Sequence, residues 1–457
     1  MDEQLLIDFL AKDSESNIKI NVIGDSMFDE YHNVEVKRIS PEFPIPVYKS
    51  NSEVASNGLL PGGAANVAAQ LKYFNVNVEL VSLITNLAKV VFESNDVSTK
   101  YSKIIDNMQI PTKRRIYSEG IPLVRWDIEK ENFGLDDIKK YLMDLIIPDS
   151  DFNIFSDYSK GLFSYPWFRK FFNQAPSLVD PKNSEIDFWQ DCTYFKPNSI
   201  EAKYLSEKKN WKDQIEYFID SIRCKHVVIT QGGNGIVGKD EDYFEYNPKD
   251  LSVNPESLVG AGDCFAAFLS MAVCRGFKLE EAAKIAYVAG SLYVKRNFNK
   301  PISPGELLIH AGIKHVTAPQ ILQNRNFKLV ATNGCFDLVH AGHLQSLRYA
   351  KQQGDRLVVL INSDESVAKL KGDSRPILPL HNRLQMIKSL DMVDFVVVFD
   401  ENTPENVLRK IMPDVLVKGT EYENKEVVGS SFIKEIKLAP MIKGISTTDI
   451  IKKIKNS

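Results

Sequence analysis

The sequence predicts an α/β protein of two consecutive domains, each built on a largely parallel sheet. Three observations carry that prediction. Short β-branched runs such as IKINVI (residues 18–23), VELVSL (78–83) and HVVIT (226–230) alternate with longer segments of helical periodicity, for example 64–74 and 279–296. That alternation is the pattern of buried strands joined by crossing helices. The series breaks at IKHVTAPQILQNRN (313–326), a polar stretch holding Pro319, and a fresh strand follows at 327–332. Finally, 457 residues are too many for one core, and length alone suggests roughly two to four domains. The domains are expected over residues 1–313 and 326–457, with 314–325 as a linker.

Composition narrows the function classes. Hydrophobic residues make up 44% and charged residues 25%, as in an ordinary globular protein rather than a disordered chain. Net charge is −4, with 56 basic against 60 acidic residues, so no nucleic-acid surface and no acidic tail is expected. The opening MDEQLLIDFLAKDSESN is acidic and amphipathic, unlike a signal peptide, and no apolar run of about 18 residues suggests a membrane span. Five scattered cysteines without a C-x-x-C pair read as reduced thiols of a cytoplasmic protein.

The first domain carries its chemistry near its end. LVGAGD (258–263) opens the apolar helical run CFAAFLSMAV, and two glycines and an alanine before a helix form a nest of N–H groups for an anion. An aspartate at a helix start is also a favourable cap. Earlier pieces, in chain order, are GDSMFDEY (24–31), VKRISPEFPIPV (36–47), LPGGAANVA (60–68), SDYSKG (156–161), VDPKNS (179–184), KPNSIE (196–201) and ITQGGNG (229–235). Together these motifs resemble the ribokinase-like (PfkB) sugar kinases. The resemblance implies that Asp263 is the general base and that Gly260, Ala261 and Gly262 form the anion hole. It implies that Asn198 and Glu201 organise magnesium and phosphate, with Thr230 and Gly232 on the nucleotide side. Asp29, Gly62, Gly63 and Asn66 would hold sugar hydroxyls, and Asp180 would be a magnesium or substrate carboxylate. Arg38 would fork onto a phosphate already on the sugar, or stand as a surface arginine.

Three places depart from the kinase pattern. SLVGAGD puts Ser257 and Val259 where the family has a carboxylate and a hydroxyl. VSLITNLAKVV (81–91) lacks the family's glycine and acidic pair, and RNFNKPIS (296–303) replaces a glycine-containing loop on the adenine side.

In the second domain a strand over 328–332 leads through a loop over 333–342 into a helix over 343–353, closed by Gly354; later strands fall at 356–361, 395–399 and 415–417. His340 and His343 therefore lie between a strand's carboxyl end and a helix's amino end, where open α/β sheets bind ligands and anions. Gly342 lets the backbone approach a phosphate. A zinc site would need further ligands and usually i,i+4 spacing, and none follows nearby, so no resident metal is expected.

TNGCFDLVHAGH (332–343), with NSD (362–364), LKGDSRPILPLHNR (370–383), PDVLVKG (413–419) and GISTTDII (444–451), resembles the HxGH nucleotidyltransferases and implies a Rossmann-like domain with a parallel sheet. Within them it is most similar to the adenylyltransferase half of the bifunctional heptose enzymes that make ADP-heptose; GDSMFDEY and SDYSKG match the kinase half. By that resemblance His340 and His343 bond the phosphates and the transition state, with Lys371 and Arg383 as the cationic partners. Gly334, Cys335, Phe336 and Asp337 belong to the nucleotide-binding loop, although Asp337 reads equally as a brace within it. Lys418 and Gly419 would meet the base, and Ser446, Thr447 and Thr448 would start a second phosphate-binding helix or simply cap it.

The resemblance implies a bifunctional enzyme that uses ATP and Mg²⁺. Its first half would phosphorylate D-glycero-D-manno-heptose 7-phosphate at C1. After a phosphatase, a separate protein, has removed the 7-phosphate, its second half would transfer adenylyl from ATP to heptose 1-phosphate, releasing pyrophosphate and giving ADP-heptose for a bacterial surface glycan such as lipopolysaccharide. The implied partners are sugar phosphates and ATP, with a homodimer formed through the first domain. The alternatives are a cytidylyltransferase in the second half and a first half reduced to a dimerising scaffold.

Overall fold

The computed structural model describes residues 3–14, 17–49, 58–119, 121–129, 135–182, 185–248, 259–295, 299–423, 425–440 and 450. The chain divides into two compact units. One is Glu15–Ile302, and the other joins Asp2–Ser14 to Ser303–Ser457.

The first unit is built on an eight-stranded sheet. Its order is Tyr243–Tyr246, Ile236–Lys239, His226–Thr230, Tyr194–Phe195, Ser177–Asp180, Phe152–Ser156, Ile18–Gly24, Val76–Val81. The six strands from His226–Thr230 onward run parallel, and the first two are antiparallel. Phe152–Ser156 is buried along its whole length, and Ile18–Gly24 everywhere but Lys19. Burial on both faces explains why these strands read as continuous apolar runs. Helix Ala261–Cys274 is buried on almost every side and packs against Ala64–Gln70 and Leu279–Tyr293.

A second sheet, unforeseen in the sequence, grows out of the first. Its order is Ile121–Ile128, Thr112–Ser118, Ser26–Asn33, Leu59–Gly63. The chain crosses between the sheets at Asp25, whose carboxylate accepts the N–H groups of Tyr158, Lys160 and Leu162, each at 3.0 Å. Register pairs Asp29 with Lys113 and Tyr31 with Arg115. Strand alternation puts those four on one face, and Phe28, Glu30, Thr112 and Arg114 on the other.

The second unit is a five-stranded, all-parallel sheet in the order Phe395–Phe399, Arg356–Asn362, Leu329–Gly334, Val415–Gly419, Glu435–Ala439. Its first strand in sequence is central, so the order reverses there and opens a crevice at the carboxyl ends.

The expected boundary moves. Residues 314–325 are part of the second unit, not a free linker: Val396 N–H donates to the Lys314 carbonyl at 2.7 Å and Val316 N–H to the Val396 carbonyl at 2.9 Å. Arg325 donates to the carbonyls of Leu322, Ile411 and Met412 and to Asp414. Polar side chains made the segment look like a linker, while its backbone lies along the sheet's edge. Helix Pro304–His310 also belongs here, as does helix Glu3–Ala11, which buries Leu6, Ile7, Phe9 and Leu10. Among the described residues no helix is long and apolar enough to cross a membrane.

Candidate active sites

In the first unit Asp263 sits in the opening turn of helix Ala261–Cys274, where unpaired N–H groups make the positive end of the helix dipole. Gly260 turns the chain into that helix at φ 74°; a β-carbon there would come within 2.7 Å of Asn66 Nδ2 and 2.8 Å of the Tyr293 hydroxyl. Asp263 is itself almost fully buried, and both of its oxygens are held. Tyr158 donates its hydroxyl at 2.5 Å to one, and Asn66 Nδ2 donates at 2.7 Å to the other. Burial pushes this carboxyl up to about 6, against the pull of those two donors.

Two further charged groups face the helix start. Lys196 Nζ lies 2.9 Å from Asp180, and both stand within 4 Å of where a Gly262 β-carbon would be. Burial raises Asp180 to about 7, with Lys196 pulling the other way and Glu201 adding to the rise. Opposite, on the small sheet, Asp29 is buried and accepts from Arg115 and from Asn299, which in turn accepts from the Tyr31 hydroxyl at 2.9 Å.

The structure thus brings Asp29, Gly62, Gly63, Asn66, Asp180 and the Gly260–Asp263 turn into one neighbourhood. Several play parts the motifs do not disclose. Asn66 is fully buried, bonded to Asp263, Gln70 and Tyr293, so it holds the carboxylate in place. A β-carbon at Gly62 would fall 2.6 Å from Asp29 Oδ2, so that glycine makes room for Asp29. Asn198 and Glu201 form a capping box. The Asn198 side chain accepts from the N–H groups of Ile200 and Glu201, Glu201 accepts from Asn198 N–H, and its other oxygen meets Lys182 at 2.9 Å. Thr230 pairs beside Asn198, and Gly232 opens the short turn Gly232–Asn234. Arg38 stands on the exposed ribbon Glu35–Ile39.

Tyr158, Lys196, Lys113, Arg115, Tyr293 and Asn299 were not singled out by sequence reasoning. Tyr158 and Lys196 lie inside SDYSKG and KPNSIE and were legible there. The basic strand TKRRIYS acquires meaning only once the small sheet is known.

In the second unit a crevice of about 600 Å³ opens at the carboxyl ends of Leu329–Gly334 and Val415–Gly419. Gly334, Cys335, Phe336, His340, Gly342, His343, Lys371, Lys418 and Gly419 all line it, together with Asn402, Thr403 and Tyr422, which the motifs did not point to. Helix Ala341–Lys351 starts two residues earlier than predicted, which makes His340 its N-cap. The imidazoles of His340 and His343 stack with centroids 3.9 Å apart at 26°. His340 N–H points at His343 Nδ1 from 3.4 Å, which leaves Nε2 to carry the His343 proton. Burial, then His340 and Lys371, hold His343 at about 4, and burial lowers His340 as well. Near neutral pH both rings are uncharged donors. His340 Nδ1 is buried without a partner. Lys418 donates to Asn333 and rides 4.9 Å above the Tyr422 ring.

One expected ligand contact is corrected, and one open alternative is decided. Arg383, read as a cationic partner of phosphate, is fully buried. It donates to the carbonyls of Leu378, Cys335 and Asn362 at 3.0, 2.7 and 2.8 Å and to Asp364 at 2.7 Å. All three of its nitrogens are used by protein, so it braces the loop from beneath. Asp337 takes the bracing alternative: buried, it accepts from Arg375 and from the N–H groups of Ile377 and Leu378 at 2.7 and 3.0 Å. Ser446, Thr447 and Thr448 lie outside the described residues. Among the described residues no cluster of three or more His, Cys, Asp or Glu could hold a metal.

Comparison with known proteins follows the same division. Residues 169–298 match the pfkB family of carbohydrate kinases, and residues 331–453 match a family described as cytidylyltransferase-like. Over nearly its whole length the chain is similar to proteins named bifunctional protein HldE. With that of Campylobacter concisus it is 34% identical, across 96% of this chain and 98% of the relative. With that of Hydrogenovibrio crunogenus it is 32% identical, across 97% of each. Among solved structures, phosphofructokinase-2 from Escherichia coli superposes with a TM-score of 0.50 at 16% identity, over 65% of this chain and 98% of that one, and shows the fold of the first unit.

Proposed function

The chain belongs to the bifunctional HldE family, and from that premise we propose that it carries out two ATP-dependent steps toward an ADP-activated heptose, with a separate phosphatase removing the 7-phosphate between them. It is a carbohydrate kinase joined to a nucleotidyltransferase. In the first step the anomeric hydroxyl of D-glycero-D-manno-heptose 7-phosphate gives its proton to Asp263 as the oxygen attacks the γ-phosphorus of ATP, and ADP leaves. The N–H groups of Gly260, Ala261 and Gly262 receive the charge on the transferring phosphoryl.

In the second step a 1-phosphate oxygen attacks the α-phosphorus of ATP and pyrophosphate leaves. The stacked His340 and His343, as neutral donors, and the cations Lys371 and Lys418 stabilise the crowded phosphorus, so the protein supplies positioning and charge instead of a covalent intermediate. The convergence of those four side chains on one crevice is the observation that carries the reading.

Magnesium fits the kinase side. Asp180 and Glu201 offer hard oxygen donors beside the helix start, and a magnesium ion there would share them with Lys196 and Lys182. It would screen the nucleotide phosphates. Self-association through the first unit is supported by Ile121 and Trp126, 63% and 57% exposed on the edge strand Ile121–Ile128. A Trp126→Glu variant sedimenting as a monomer beside a dimeric wild type would bear this out. The reduced, scattered thiols support a cytoplasmic setting.

The decisive trial supplies ATP, magnesium and candidate sugar phosphates and reads ADP and pyrophosphate separately. ADP with heptose 7-phosphate and pyrophosphate with heptose 1-phosphate are expected. ADP from neither would leave the first unit a scaffold. The cytidylyltransferase-like match of the second unit favours one further arm, with CTP in place of ATP.

A further inference from the structure

We propose that Lys113 is the residue that makes the kinase unit demand a sugar already carrying a phosphate, by pairing with that phosphate. The inference rests on the kinase reading above and adds to it a specificity residue.

Lys113 comes from the middle of strand Thr112–Ser118 and points to the same face of the small sheet as Asp29 and Arg115. Its ammonium lies 4.9 Å from the centroid of the Tyr158 ring, and the Tyr158 hydroxyl is the group that bonds Asp263. Lys113 therefore stands beside the carboxylate that would activate the acceptor.

Two pairs of charges around it are matched to each other, while the Asp263 carboxylate is held by the neutral donors Tyr158 and Asn66. Arg115 is taken by Asp29, and Asp127, the cross-strand neighbour of Lys113, is held by Arg125 through two bonds of 2.7 and 2.5 Å. The Lys196 ammonium belongs to Asp180 at the helix start. Among the described residues Lys113 has no hydrogen-bond or ion-pair partner of its own. Burial lowers its proton affinity while Asp29 and Asp263 raise it. A half-buried ammonium resting only on an aromatic face is incompletely compensated.

An anion supplies what is missing, and its origin follows from position. The phosphoryl in transfer meets the N–H groups and Lys196 at the helix start. Lys113 arrives from the opposite sheet, on the acceptor's side with Asp29. The anion it meets is therefore carried by the acceptor. A phosphate dianion forms strong charge-assisted bonds to an ammonium and turns the surface of the ring below it into a shared binding wall. An unphosphorylated sugar would leave Lys113 facing only hydroxyls.

The experiment compares wild type with Lys113→Met and Lys113→Arg, using heptose 7-phosphate and the corresponding free heptose with ATP and magnesium. In Lys113→Met the KM for the sugar phosphate should rise about 10- to 100-fold. The KM for ATP should hold, and the preference for phosphorylated over free sugar should collapse by the same factor. Lys113→Arg should recover part of it. An unchanged thermal transition separates the effect from misfolding. The proposal is overturned if Lys113→Met keeps the wild-type preference, if it weakens both sugars equally, or if the preference moves with Arg38→Ala instead. Wild type that phosphorylates no sugar phosphate at all would remove the kinase reading itself, and this inference with it.

Discussion

A buried carboxylate can serve as a base only if its environment leaves it ionised when substrate arrives. At Asp263 two influences oppose each other: desolvation raises its proton affinity, and the bonds from Tyr158 and Asn66 lower it. Desolvation wins, leaving the group near 6, still ionised at neutral pH but more basic than a surface aspartate. The sign of the pH dependence follows. Protonation disables the base, so kcat/KM for sugar phosphorylation should fall about tenfold per pH unit below about 6 and level off above it. Tyr158→Phe deletes a donor that favours the carboxylate, so the acid limb should move to higher pH while ATP binding is kept. A limb that stays put would mean that Tyr158 does not set the ionisation of Asp263.

Elements decide which residues can act and which only support. Arg383 lies in helix Leu380–Lys388, one helix away from the histidines, yet its guanidinium ties Cys335, Asn362, Leu378 and Asp364 together. Replacing it with methionine strands several carbonyls and should cost about 3 kcal/mol of stability. The expected readout is a lower melting temperature of the second unit; a raised KM for ATP with unchanged stability would restore the phosphate role. Helix Glu3–Ala11 offers a second test, since Phe9 is fully buried and Phe9→Ala should cost about 3–5 kcal/mol. Pyrophosphate formation should then be lost on warming before ADP formation. What the sequence disclosed and what it hid divide along this line. His340, His343, Lys371, Lys418 and Asp263 were legible because strand-end and helix-start motifs are local in sequence. Arg383 and the small sheet were not, and for Asp337 the sequence left ligand contact and brace equally open. Whether an arginine meets phosphate or backbone, and which strands pair across 80 residues, depends on tertiary neighbours that spacing does not encode. The segment 314–325 misled for the same reason, its edge pairing resting on backbone alone.

At the scale of the whole chain, the described residues that form each candidate site belong to a single unit. Asp263, its two donors and the helix start lie between Asp25 and Asn299, and the described residues lining the histidine crevice lie beyond Ser303. The two chemistries also ask for different things. Phosphorylation needs a proton acceptor beside an anion hole; adenylyl transfer needs neutral donors and cations around an α-phosphorus. Losses should therefore separate. Asp263→Asn should cut ADP formation from ATP and sugar phosphate by about 100-fold or more while pyrophosphate release from ATP and sugar 1-phosphate is untouched. His343→Ala should do the reverse, by about 100-fold. The double variant should lose each activity by its own single factor. If Asp263→Asn also slowed pyrophosphate release, the independence of the two activities would be refuted. Equal losses in both assays would point to global unfolding, which a melting curve of the same preparation distinguishes.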